Sequence, residues 1–179
     1  MGLDFDSARL PNPYLTAEHE EWRTHIRRFF DREVIPFADD WDEAGMIPEA
    51  LWLKSAAIGI LGLGYPEEYG GVQEGIDIWH KNILNEELAR IAVGGVSATL
   101  MVHGIALPPL IKYASEAIKQ TVVPPVLAGE KRISLAVTEP EAGSDVAQLQ
   151  TKARQEGDHY VVNGSKTYIT GGMNANWFT

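Results

Sequence analysis

The 179-residue chain is long enough to bury a core, and its 45% apolar and 22% charged side chains are those of a soluble globular protein. With 25 acidic against 15 basic residues its formal net charge is -10, which argues against a nucleic-acid backbone or an anionic membrane as the main partner. It has no cysteine, which excludes disulfides, a thiolate nucleophile and cysteine-ligated metal.

The opening "MGLDFDSARLPNPYL" is acidic and proline-broken and lacks the basic start and apolar run of a secretory signal. With the absence of cysteine, this leads to an expected cytoplasmic location. Thr16 is a helix cap, and Trp22, Ile26, Phe29, Phe30 and Val34 then recur at helical spacing. Pro36 ends this helix or starts a short extension. Pro48 suits a first helical position, and a second helix runs to Ala57, closed by Gly59. "GYPEEYGG", Gly64 to Gly71, is a loop. A third helix covers Ile76 to Ile91.

Ile91 to Ile111 contains no charged residue. Its length approaches the roughly 20 apolar residues of a membrane span. Gly94, Gly95, Gly104 and Pro108-Pro109 argue instead for two buried helices with a kink or turn between them. Ser115 caps a further helix to about Val123, where Pro124-Pro125 forces a break.

After Gly129 the texture changes. "ISLAVT" is β-branched and apolar, and "TKARQEGDHYVVNGSKTYIT" carries turn signals at Glu156-Gly157-Asp158 and Asn163-Gly164. The fold class is therefore α+β: an all-α domain over residues 1–131, then an incomplete antiparallel β-domain over 132–179.

Familiar catalytic constellations are absent. There is no Gly-x-Ser-x-Gly and no phosphate loop, and Glu67 stands where a dinucleotide fingerprint needs its third glycine. His19, His25, His80, His103 and His159 show no metal-ligand spacing, and no metal is expected. His19 and His25 read as surface residues, His103 as a core histidine, and Glu86-Glu87 as a solvated helix face. The remaining feature is "LAVTEPEAGSD", Leu135 to Asp145. Pro, Gly, Ser and Asp are common turn residues, so this is either a plain turn or a strand end and loop wrapped around a polar ligand. In the second reading Gly143 lets amides approach an anion, while Ser144 and Thr138 add hydroxyls.

"LAVTEPEAGSD" resembles the signature of the acyl-CoA dehydrogenase family. "VVNGSKTYIT" resembles that family's second flavin-contacting segment, and "YPEEYGG" and "LAGEKRISLAVTEP" also fit its pattern. The resemblance runs from about Leu15 to Thr179. It implies FAD, bound between β-domain and helical domains. Leu135, Val137 and Thr138 would line the flavin ring, with Thr138 on its pyrimidine edge. Gly143 and Ser144 would meet the pyrophosphate, and Ser144 also the acyl-CoA substrate. Tyr168, Ile169 and Thr170 would flank the isoalloxazine, with Thr170 next to its reacting nitrogen. The implied reaction is α,β-dehydrogenation of an acyl-CoA thioester, with an electron-transfer flavoprotein as acceptor, in a homotetramer. The uncharged helices would pack near the acyl cleft.

Leu135 replaces a frequent aromatic, Tyr168 a frequent Trp, Gln148 a small residue and Asn176 an Asp. These departures leave the subfamily and substrate open. An acyl-CoA oxidase or flavin monooxygenase relative shares the scaffold, and a truncated, non-catalytic binding or interaction module is the reading from another class. Nothing in residues 1–179 matches the context of the family's catalytic glutamate. Glu139 and Glu141 lie in the flavin loop and are rejected as substitutes. The base is therefore expected beyond Thr179, the chain is expected to be the N-terminal portion of a longer protein, and no turnover is expected from it alone.

Overall fold

A computed structural model describes residues 2–179. Its helical part begins with α1, Ala17–Glu33. Thr16 caps it as expected: its side chain accepts from the His19 amide, and its own amide donates to His19 Nδ1 at 3.0 Å. This is a capping box with histidine in the place usually held by Glu or Gln. A short 3-10 turn at Ile35–Phe37 leads into α2, Ala38–Ala44, and α3 spans Ala50–Ala57. The Gly64–Gly71 loop holds one 3-10 turn, Glu67–Tyr69. α4 spans Ile78–Ala89, with Asp77 rather than Ile76 at its start.

The uncharged run forms α5, Gly94–Met101, and α6, His103–Tyr113, separated at Val102. By length and composition alone Gly94–Tyr113 resembles a membrane span. Here Val96, Leu100, Val102, Ala106 and Leu107 are buried. α7 follows over Glu116–Leu127.

The proline expectations need correction. Pro108-Pro109 lie inside α6 and Pro124-Pro125 inside α7, so neither pair breaks its helix. Proline's fixed φ suits a helix, and its cost is the bond lost to the carbonyl four residues back together with the crowding of its ring against that carbonyl. Those carbonyls belong to Gly104, Ile105, Gln120 and Thr121, all exposed residues that water can reach.

Two apolar clusters result. One joins α1 to α5 around Ile26, Phe30, Ile60, Ile83 and Leu100. The other joins α6 and α7 to the first strand through Leu107, Val123, Val126 and Ile133. Gly129 connects them to the β part. Its φ is 75°, and a Cβ there would overlap the Trp52 carbonyl. Gly129→Ala is therefore expected to cost more than the ~1 kcal/mol of an ordinary left-handed glycine. An unchanged thermal midpoint would refute this.

The β part is smaller than its sequence suggests. Only Ile133–Ser134 of "ISLAVT" forms a strand, β1. β2, Lys152–Glu156, and β3, His159–Asn163, make the expected antiparallel hairpin, turning at Gly157. β4, Trp177–Phe178, pairs with β1 in parallel, not antiparallel. The Asn163-Gly164 signal does not start a third hairpin strand. The chain turns there and runs back alongside Val137 and Thr138.

Candidate functional site

The two β-domain motifs meet through their backbones. The Thr167 amide donates to the Thr138 carbonyl at 3.0 Å, and Lys166 Nζ donates to the Val137 carbonyl at 2.8 Å. The Ala136 amide bonds Thr179, and Ser134 Oγ donates to the Thr170 carbonyl at 2.8 Å. Val137 and Thr138 are thus set beside the start of the Tyr168–Thr170 segment. Leu135 instead packs against the α6–α7 cluster.

Glu139 is 5% exposed although it sits in a loop of polar residues. Lys166 lies 2.8 Å from its Oε1, and the amides of Gln150 and Thr151 donate to it at 2.6 and 3.1 Å. The Lys166 side chain and these amides hold its carboxyl down at about 2. Such a group neither takes nor gives a proton near neutral pH, which supplies a physical reason to reject it as a base. Glu141 is exposed.

From the Glu139 anchor the loop swings outward. Asp145 caps a short turn, Val146–Gln148, and Gly143 and Ser144 are exposed. Gly143 does not use the left-handed region glycine permits. It leaves room instead: among the described residues, a Cβ there would meet nothing within 4 Å. Tyr168 is the strained position, with φ 55° and a side chain 92% exposed. A bulky non-glycine residue held there is a genuine backbone outlier of the kind that concentrates at functional sites. Ile169 lines a crevice of about 320 Å³ between the two parts of the chain, with Trp41, Trp52 and Arg132. Arg132 stacks on Trp52 at 4.2 Å.

Sequence reasoning gave Lys166 and Thr167 no role. The available signal was a lysine two residues before Tyr168 facing an acid one residue after Thr138.

The histidine readings split. His103 is a core residue: its Nε2 bonds the Leu61 carbonyl at 3.1 Å, and burial holds its imidazole down at about 4. His19, expected at the surface, is 5% exposed. It meets Asp77 and His80 in a cluster whose ligand-type atoms lie within 4.8 Å of one another. Spacing along the chain hid this, because 58 residues separate His19 from Asp77.

The cluster is built as a shared helix cap. His19 Nδ1 accepts the Thr16 amide, so Nε2 carries the proton it donates to Asp77 Oδ1 at 3.1 Å. The same oxygen receives the amides of Trp79 and His80 at 2.9 and 3.2 Å. Burial opposes ionisation of Asp77, but His80, His19 and these amides outweigh it and bring its carboxyl to about 2. Donors already fill that oxygen, and two helix N-termini oppose a cation.

Helical bundle, junction and paired loops define an α+β chain in which helices lead into the opening part of a β-domain. Residues 16–130 match the acyl-CoA dehydrogenase N-terminal domain, and residues 134–179 match its middle domain. The chain therefore belongs to the acyl-CoA dehydrogenase family. It is 37% identical over 177 residues to the probable acyl-CoA dehydrogenase FadE25 of Mycobacterium tuberculosis, covering 98% of this chain and 43% of that protein. A probable acyl-CoA dehydrogenase from Mycobacterium abscessus superposes with a TM-score of 0.85 at 45% identity, over 92% of this chain and 43% of the other. A glutaryl-CoA dehydrogenase from Mycobacterium smegmatis, solved in complex with FADH2, superposes at 0.85 with 28% identity, over 98% and 44%. The chain thus spans less than half the length of each of these relatives.

Proposed function

We propose that the protein is an FAD-dependent oxidoreductase that dehydrogenates an acyl-CoA thioester between its α- and β-carbons. The observation that carries this reading is the lateral joining of "LAVTEPEAGSD" to "SKTYIT" through Thr138–Thr167 and Val137–Lys166. It brings two short motifs, each weak alone, to one place. FAD is also the cofactor of the reduced M. smegmatis relative. Bound FAD would supply the hydride-accepting centre.

In this reading the Thr138 side chain meets the pyrimidine edge of the flavin. The exposed Gly143 and Ser144 meet the pyrophosphate, and Ser144 also the acyl-CoA. Tyr168, Ile169 and Thr170 flank the isoalloxazine. The α5–α6 run borders a cavity of about 540 Å³ whose walls combine Met101, Pro108 and Ile111 with the polar Gln73, Lys81, Asn85 and Lys112, and the acyl chain is proposed to lie against the apolar side. An electron-transfer flavoprotein as acceptor, a homotetramer and a cytoplasmic location complete the proposal.

Anaerobic titration of the full-length protein with acyl-CoA tests the reaction. Bleaching of a bound flavin's absorbance is expected, followed by reoxidation through an electron-transfer flavoprotein. Fast reoxidation by air alone would point to an oxidase, and purified protein without flavin that takes up none would remove the reading.

Thr170→Val tests one contact. The Thr170 carbonyl is held by Ser134 Oγ and its side chain is exposed, so the change removes a hydroxyl and leaves the main chain in place. A loss of about 0.5–1.5 kcal/mol in FAD binding, or a shifted flavin potential, is expected for one hydrogen bond. Unchanged absorbance, affinity and potential would take Thr170 out of the site.

A further inference from the structure

Glu139 and Lys166 lie within the two motifs, one residue after Thr138 and one before Thr167. Lys166 reaches across and holds two acceptors on the first motif, the Val137 carbonyl and Glu139 Oε1, both at 2.8 Å. Glu139 in turn holds the far end of its own loop. Its carboxylate takes the amides of Gln150 and Thr151, eleven and twelve residues further on, while its own amide bonds the Ala142 carbonyl at 2.8 Å. The loop carrying Gly143 and Ser144 is therefore tied at its base by one buried carboxylate. The lysine that neutralises that carboxylate belongs to the segment carrying Tyr168, Ile169 and Thr170.

A bland account is available, in which this is simply an ion pair that helps a small β-domain stay folded. Two features go beyond it. The lysine's bonds end on the segment that carries Val137 and Thr138, and the carboxylate's close the loop that carries Gly143 and Ser144. The exposed groups also lie beyond the anchored base: Gly143 and Ser144 on one side, Tyr168 with its positive φ on the other. A charge-assisted clamp of this kind fixes geometry as well as adding energy.

We infer that Glu139 and Lys166 are positioning residues, which together set the loop of Gly143 and Ser144 and the edge of Thr138 against Tyr168–Thr170 and so preorganise the flavin site. This rests on the flavin reading above. Neither side chain touches the reacting atoms. Lys166 acts through the Val137 carbonyl and Glu139, and Glu139 through the amides of Gln150 and Thr151.

The test compares wild type with Glu139→Gln, Lys166→Met and Lys166→Arg by FAD titration, flavin absorbance and amide hydrogen exchange. Glu139→Gln and Lys166→Met are each expected to lower FAD affinity about tenfold, the loss of one charge-assisted bond. The flavin band should shift, and the Gln150 and Thr151 amides should exchange faster. Lys166→Arg is expected to restore most of the affinity and the wild-type band. The double variant should lose little more than either single one, because both break one clamp. If Lys166→Met fails to fold, the near-isosteric Glu139→Gln carries the test. Folded variants with wild-type affinity and spectrum would overturn the clamp and leave the flavin reading standing. A wild type that binds no FAD would overturn that reading and the clamp with it.

Discussion

Leu100→Asp is expected to destabilise the protein by several kcal/mol. Leu100 is fully buried in α5, inside the cluster formed with Ile26, Phe30, Ile60 and Ile83. Two losses add. Removing the side chain costs about 2–5 kcal/mol, as Leu→Ala does in a packed core. A carboxylate placed there has no partner, so it either remains charged at a large solvation cost or takes up a proton. Leu100→Asn separates the two terms because it is polar but uncharged. The folded state raises the pKa of the introduced acid, so the charge penalty grows as pH rises above the unfolded value of about 3.9 and fades below it. Denaturant titrations at pH 4 and pH 7 should show the Asp and Asn variants converging at the lower pH. An Asp variant within about 1 kcal/mol of wild type at pH 7 would mean that Leu100 is not in the core.

The legible part of this fold was local. Thr16 and Ser115 announced their helices because a cap is a contact between neighbours in sequence, and α1 showed its buried face through the spacing of Ile26, Phe29 and Phe30. The fold class and the family followed from the helical front, the hairpin turn and the two motifs. What stayed hidden depends on partners far along the chain. β1 and β4 are short, and residues 44 apart in sequence pair in parallel, which no local alternation reveals. The proline pairs mislead because a sequence does not show whether the freed carbonyls can be hydrated. In α6 and α7 those carbonyls belong to exposed residues.

The candidate site shows the same division. Its motif residues could be quoted from sequence, and the structure lays two of the three groups side by side. Leu135, which alternation cannot distinguish from its neighbours, turns toward the helices. Glu139 illustrates the limit best. An acid beside a proline in a polar loop looks solvated, and only the fold brings Lys166 and two amides onto it. His19 and Glu87 are hidden for the same reason, since each lies on a charged helix and finds partners on the helix packed against it, His19 at Asp77 and Glu87 at Arg27 and Arg23.

Glu87 therefore carries the second large effect. The sequence pair Glu86-Glu87 reads as a solvated face, and for Glu86, nearly half exposed, that holds. Glu87 is fully buried, and Arg27 donates to it from Nε and Nη2 at 2.9 and 2.7 Å. Arg90 adds a bond at 3.1 Å and Arg23 one at 3.4 Å. Burial pushes its carboxyl upward, but Arg27, Arg90 and Arg23 outweigh burial and leave it below the ordinary value. Arg27 also pairs with Asp6, and the Arg90 Nε bonds the Leu3 carbonyl, so the hub ties α1, α4 and the N-terminal arm together. Replacing such a network with apolar residues can be neutral, whereas removing one member strands the rest. Glu87→Ala removes the one buried anion shared by Arg23, Arg27 and Arg90, and leaves them only the more exposed Glu86 and Glu20, Asp6 and Asp31 at the rim. A loss of about 3–5 kcal/mol is expected at pH 7. Because the folded pKa is depressed, the wild-type contribution is complete above the ordinary carboxylate range and declines as pH falls through the folded value. The gap between wild type and Glu87→Ala should therefore narrow in acid, whereas a simple cavity would give a gap that does not change with pH. A pH-independent gap, or one under about 1 kcal/mol at pH 7, would show that the arginines find other partners and that packing alone holds α1 against α4.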